Sequence, residues 1–144
     1  RYPLVLIGNR DEFHARPTRD AMFHDPGETV FGGRDEVAGG AWLLVHRDGR
    51  LVTVTNVRHG SPESPRRSRG QLVHDLLRQP SPARAVLALS SEEAAAFGRF
   101  NVIGFDGRDL AWASNFPGHR SRALDAGIYG LSNGTLDAPW PKVR

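Results

Sequence analysis

Ala41-Trp42-Leu43-Leu44-Val45-His46-Arg47-Asp48-Gly49-Arg50-Leu51-Val52-Thr53-Val54-Thr55 is the stretch on which the fold turns. Residues 41–46 form an apolar run, and residues 51–55 resume with β-branched side chains that suit a pleated surface. Between them, Asp48-Gly49 supplies a tight turn whose backbone angles only glycine adopts without cost. Together they predict a β-hairpin. The same grammar recurs at residues 100–105 and 110–114, which face each other across Asp106-Gly107.

Helical signals fill the space between the two hairpins. Over residues 70–79, Leu72, Val73, Leu76 and Leu77 repeat at the spacing of one helix face, and Pro80 ends the run. Ser81-Pro82 reads as an N-cap with proline in the first turn, opening a short helix through about Leu89. Ser90 and Glu93 make a capping box for one further turn. Working outward, the apolar run at residues 2–8 predicts a strand buried on both faces, residues 29–31 a short strand, and residues 127–132 a last one. Strands, then helices, then strands argue for an α+β protein with mostly antiparallel sheets and helices segregated onto their faces.

Composition narrows the function. A chain of 144 residues with 39% hydrophobic content supports one core, so a single domain over residues 1–144 is the natural expectation. Its apolar runs are strand-sized, too short for a membrane-spanning helix. There is no cysteine, hence neither disulfide nor thiolate metal site, and no signal-peptide pattern is visible, so cytoplasm is the default location. The formal charge of +3 comes almost wholly from arginine, Lys142 being the sole lysine. Its densest cluster, Arg66, Arg67 and Arg69, lies in a Ser/Pro-rich loop without interleaved aromatics, a poor match to nucleic-acid recognition. The six histidines lack metal-ligand spacing, so no metal site is expected.

Polar side chains gather where the apolar strands end: Asn9-Arg10-Asp11, Thr55-Asn56 with Arg58, Asn115, and Ser132-Asn133. Asparagine amides can donate to a developing oxyanion, and an arginine beside an aspartate can orient a nucleophile or a carboxylate. The plainer alternative is that Asn and Asp serve turns, with Arg-Asp neighbours as surface ion pairs. His14 and His59, close to these clusters, are the histidines to consider as ligand contacts, and Trp42 fits a core or pocket wall.

Asn9-Arg10-Asp11-Glu12-Phe13 with Ala15-Arg16-Pro17-Thr18 resembles the signature of the NRDE-motif family, also called the transport and Golgi organisation family. Further landmarks follow in family order: Gly33-Arg34-Asp35, Gly39-Gly40-Ala41-Trp42, Val54-Thr55-Asn56-Val57-Arg58, Ser68-Arg69-Gly70, then Gly127-Ile128-Tyr129-Gly130-Leu131-Ser132-Asn133 with Pro139-Trp140-Pro141-Lys142-Val143. The resemblance implies an αββα sandwich similar to N-terminal-nucleophile hydrolases, truncated here at both ends. The first strand, with its nucleophilic cysteine, and the C-terminal part would be missing.

On the same resemblance, Arg10 stands beside the nucleophile and Asp11 partners its amine, while Asn56 and Asn133 are the oxyanion-side asparagines. Arg58 has no counterpart role and is assigned to a ligand carboxylate or phosphate, with Arg10, His14, His59 and Trp42 as further ligand contacts. Three functions are implied. The first is binding or trafficking of an amphipathic anionic molecule of the haem or acyl-coenzyme A and lipid type, with no required cofactor and haem as cargo. The second is an N-terminal cysteine amidohydrolase acting on a small acyl-amide, and the third an adaptor in secretory or organelle organisation.

Overall fold

The computed structural model describes residues 2–10, 12–59 and 65–139. Among them, seven strands form one antiparallel sheet: β1 (Thr18–Phe23), β2 (Val30–Asp35), β3 (Leu43–His46), β4 (Leu51–Asn56), β5 (Phe100–Phe105), β6 (Leu110–Ser114) and β7 (Arg120–Leu124). Each strand pairs with its neighbours in sequence, so the sheet is a meander. Both predicted hairpins are present, β3–β4 turning at Gly49 (φ 92°) and β5–β6 at Gly107 (φ 95°).

All helices lie in the β4–β5 connection: α1 (Arg69–Leu77), α2 (Pro82–Ala88) and α3 (Ser91–Ala94). Their starts are fixed by side-chain caps. The Ser68 hydroxyl accepts from Gly70 N at 3.2 Å while Gln71 Oε1 accepts from Ser68 N, and Ser90 and Glu93 form the same reciprocal pair for α3. Ser81 caps α2, and its hydroxyl donates to Asp106 Oδ2 at 2.5 Å, fastening that helix to the β5–β6 turn. Helix α1 buries Leu72, Val73, Leu76 and Leu77, as its spacing predicts, against Leu44, Val52, Val54 and Val102 of the sheet.

Because side chains alternate along a strand and cross-strand partners share a face, the ladder register assigns every residue to one side. Leu44, Val52, Val54, Phe100, Val102, Ala111 and Ala113 point toward the helices. The opposite side carries Phe23, Phe31, Leu43, Val45, Leu51, Ile103, Phe105, Leu110, Trp112 and Leu124. This second face is mostly apolar too, though Thr53, Thr55, Asn101, Ser114 and Arg122 share it, and at its β1–β2 end Phe23 and Phe31 are exposed, ring centroids 5.3 Å apart.

Gly40, just before β3, and Gly70, in the first turn of α1, meet backbone to backbone. A Cβ on Gly40 would lie 2.6 Å from Gly70 Cα, and one on Gly70 would lie 2.8 Å from Gly40 Cα. The contact sets how closely α1 sits on the sheet.

Two expected strands are corrected. Residues 2–8 are not paired in the sheet, and Tyr2 and Ile7 are 83% and 93% exposed rather than buried on both faces. An apolar run becomes a strand only when a ladder partner satisfies its amides, and among the described residues none does. Residues 127–132 form irregular backbone, and the Ser132 carbonyl at its end accepts from the Thr55 hydroxyl of β4. Conversely, β1 and β7 are strands that apolar patterning does not reveal, since these edge strands are charged and mostly exposed.

The loop after β2 is held by Asp35. Its carboxylate accepts from Arg16 Nη2 at 2.8 Å and Nε at 3.1 Å, and from the amides of Val37 and Ala38. Burial pushes the Asp35 carboxyl up, but these donors outweigh it and hold the group below the usual aspartate value. A depressed folded-state pKa means stabilisation that is present above the unfolded value of about 3.9 and lost as pH falls through the folded one. The stability advantage of the parent protein over Asp35→Asn is therefore expected at pH 7 and shrinks below about pH 4. Urea unfolding at the two pH values checks this; a gap independent of pH would contradict it.

Candidate functional site at the end of β4

At the end of the sheet where β4 finishes and β5 begins, a polar chain runs through the mostly apolar second face. Asn101 is fully buried, with its Oδ1 accepting from Trp112 Nε1 at 3.2 Å. Its Nδ2 donates to Gly134 O at 2.7 Å and to Thr55 Oγ1 at 3.3 Å, and the Thr55 hydroxyl donates onward to Ser132 O at 2.8 Å. Two side chains from adjacent strands, Thr55 and Asn101, thus clamp the backbone of residues 132–134 across the sheet end, with Trp112 of the next strand holding Asn101.

That clamp positions Asn133 against Asn56. Asn133 Nδ2 donates to Asn56 O at 2.8 Å, and Asn133 O accepts from Arg58 N at 3.0 Å. An amide nitrogen carries two hydrogens, so this bond leaves Asn133 a second N–H. The side chains of Asn56, Arg58 and His59 are exposed on the rim. The His59 ring packs on Phe116 at 4.7 Å, and the Arg99 guanidinium lies 5.4 Å over the same ring while donating to His59 O. One amide donor fixed by a backbone bond, beside exposed Arg58, forms an arrangement suited to an acyl or carboxylate oxygen.

The structure brings Asn56, Arg58, His59 and Asn133 together. Arg10 and His14 lie elsewhere, on the exposed segment before β1, where Arg10 is 4.0 Å from Glu12. Asp11 lies outside the described residues, as does most of the Pro139-Trp140-Pro141-Lys142-Val143 landmark. Trp42 packs against the helix-side core, on the face opposite Thr55 and Asn101. Asn115 serves structure: its amide donates to the carbonyls of Ala94 and Phe97, and its oxygen accepts from Phe100 N. Sequence reasoning missed Asn101. The available signal was a lone amide inside the apolar run 100–105, which must find partners once buried.

A family model described as "Transport and Golgi organisation 2" matches residues 1–144. The chain belongs to that family. The transport and Golgi organization 2 homologue of Mus musculus is 33% identical over 150 residues, covering 99% of this chain and 54% of its own length. The Homo sapiens homologue is 32% identical over the same length, and the Drosophila melanogaster protein 27% identical over 163 residues. The chain thus spans about half the length of the curated relatives it matches. Among the described residues, no helix is long and apolar enough to cross a membrane.

Proposed function

We propose that this member of the transport and Golgi organisation family binds or traffics an amphipathic anionic small molecule, of the haem or acyl-coenzyme A and lipid type. The observation that carries the reading is the helix-free sheet face, mostly apolar from Phe23 to Leu124, with Asn133 and the exposed Arg58 at the end where β4 finishes. Apolar surface suits the body of such a ligand, and a guanidinium suits its carboxylates or phosphates. In the whole protein this face is the inner wall of an αββα sandwich of the N-terminal-nucleophile hydrolase type, the second sheet coming from other parts of the chain. No cofactor is required. Haem would be cargo, with exposed His59 as a transient axial ligand.

Arg58→Ala in the full-length protein is expected to weaken haemin or palmitoyl-coenzyme A binding about tenfold, the range of one lost charge-assisted hydrogen bond. Titration by fluorescence quenching, with circular dichroism to show the fold retained, makes the test. Unchanged affinity for both ligands would remove Arg58 from the site.

One observation favours a second reading, an N-terminal cysteine amidohydrolase: the Asn133 amide is held at the end of β4 by the backbone carbonyl of Asn56, with one N–H left to donate to an oxyanion. The nucleophile is not among these residues, which contain no cysteine. Mass spectrometry of the full-length protein separates the two readings: a covalent acyl adduct on an N-terminal cysteine supports hydrolysis, and a non-covalently retained ligand supports carriage.

A further inference from the structure

On the helix side of the sheet, away from the strand-end cluster, a cleft of about 350 Å³ opens between the β1–β2 hairpin and α1. Its lining includes Arg34 from β2, Arg67 and Arg78 from either end of α1, Gln71, and the paired rings of His24 and His74. The volume falls at the low end of small-ligand sites. With Asp75 as the carboxylate of the lining, three guanidiniums against one acid leave this cleft cationic even with both histidines neutral.

Asp75 organises rather than cancels the cations. Its carboxylate accepts from Arg67 Nη2 at 2.5 Å and lies 3.9 Å from Arg78 Nη1, holding two guanidiniums on one side of the opening. Each guanidinium carries five N–H donors, so one carboxylate cannot saturate two of them. Arg34 reaches Glu36 only at 3.9 Å, across β2. His24 Nε2 is 3.0 Å from Gly32 O, and since a carbonyl only accepts, Nε2 carries the proton. The His74 ring stands 5.2 Å from the His24 ring. Burial first, then the nearby His24, Arg78 and Arg34, disfavour the charged form of His74, against the pull of Asp75. Unneutralised positive potential beside a half-buried imidazole is the environment that a bound anion relieves.

We propose that this cleft is a binding site for a phosphate group, whether inorganic phosphate or the head of a phosphomonoester, gripped by Arg34, Arg67 and Arg78 with Gln71 and His74 as further donors. Guanidiniums from two elements match the several oxygens of a tetrahedral anion better than a single lysine-like point charge would. The site is independent of the strand-end reading, since neither Arg34 nor Arg78 belongs to that cluster.

The test is calorimetric titration of the full-length protein with inorganic phosphate and, separately, glycerol phosphate, at constant ionic strength set by sodium chloride. Saturable binding of one phosphate per chain is expected, weakened about tenfold in Arg34→Gln and in Arg78→Gln. Both positions are well exposed, so the fold should survive, and the His24 and His74 proton resonances should move on binding, in the variants only at about tenfold higher phosphate. Tighter binding of glycerol phosphate than of phosphate assigns an ester as the ligand, and equal binding assigns the free ion. No saturation by either probe, or equal affinity in parent and both variants, overturns the site.

Discussion

Replacing Asn101 with leucine is expected to lower the unfolding free energy by about 3 kcal/mol in urea denaturation of the full-length protein. The two side chains are similar in size, so the loss comes from hydrogen bonding rather than from a cavity. Leucine leaves Trp112 Nε1 without its acceptor, and Gly134 O and Thr55 Oγ1 without their donor. An abandoned buried polar group costs about 1–3 kcal/mol, and the loop of residues 132–134 can recover part of this by turning to water. Trp112, 7% exposed, has no such recourse. A loss below about 1 kcal/mol would mean that the clamp exchanges freely with solvent and does not fix Asn133.

Gly40→Ala should cost a similar amount, about 3 kcal/mol, for a steric reason. The new methyl would enter the backbone of Gly70 at 2.6 Å, and backbone has no rotamer by which to yield. Gly70→Ala meets the reciprocal clash, 2.8 Å from Gly40 Cα, but alanine returns up to about 1 kcal/mol of helix propensity. The second variant should therefore be the milder of the two. Thermal unfolding of both decides the matter, and equal stability to the parent would show that α1 can ride up from the sheet without loss.

Local signals explain what was legible. The two Asp-Gly turns, the Ser81 and Ser90 caps and the leucine spacing of α1 act within a few residues, and each appears where the sequence places it. Strand β1, Thr-Arg-Asp-Ala-Met-Phe, and strand β7, Arg-Ser-Arg-Ala-Leu, are held by ladder bonds to one neighbour and bury little, so they leave almost no apolar trace. The runs at residues 2–8 and 127–132 mislead for the opposite reason, since hydrophobicity alone supplies no partner strand. At the candidate site, proximity of Asn56 and Asn133 followed from family resemblance. The Trp112–Asn101–Thr55 chain depends on β4, β5 and β6 lying side by side, a relation that no local spacing encodes.

The meander gives the chain an uneven route to its native state. Within residues 18–56, and again within residues 100–124, every strand meets a partner only a short turn away, so both ladders can zip early at small loop-closure cost. Pairing β4 with β5 is different, because the whole helical segment must first be looped out between them. The seam between those two strands therefore closes late, after the two half-sheets have nucleated separately. Thr55 and Asn101 face each other across that seam, so the polar chain under Asn133 is completed only when the last major chain entropy has been surrendered.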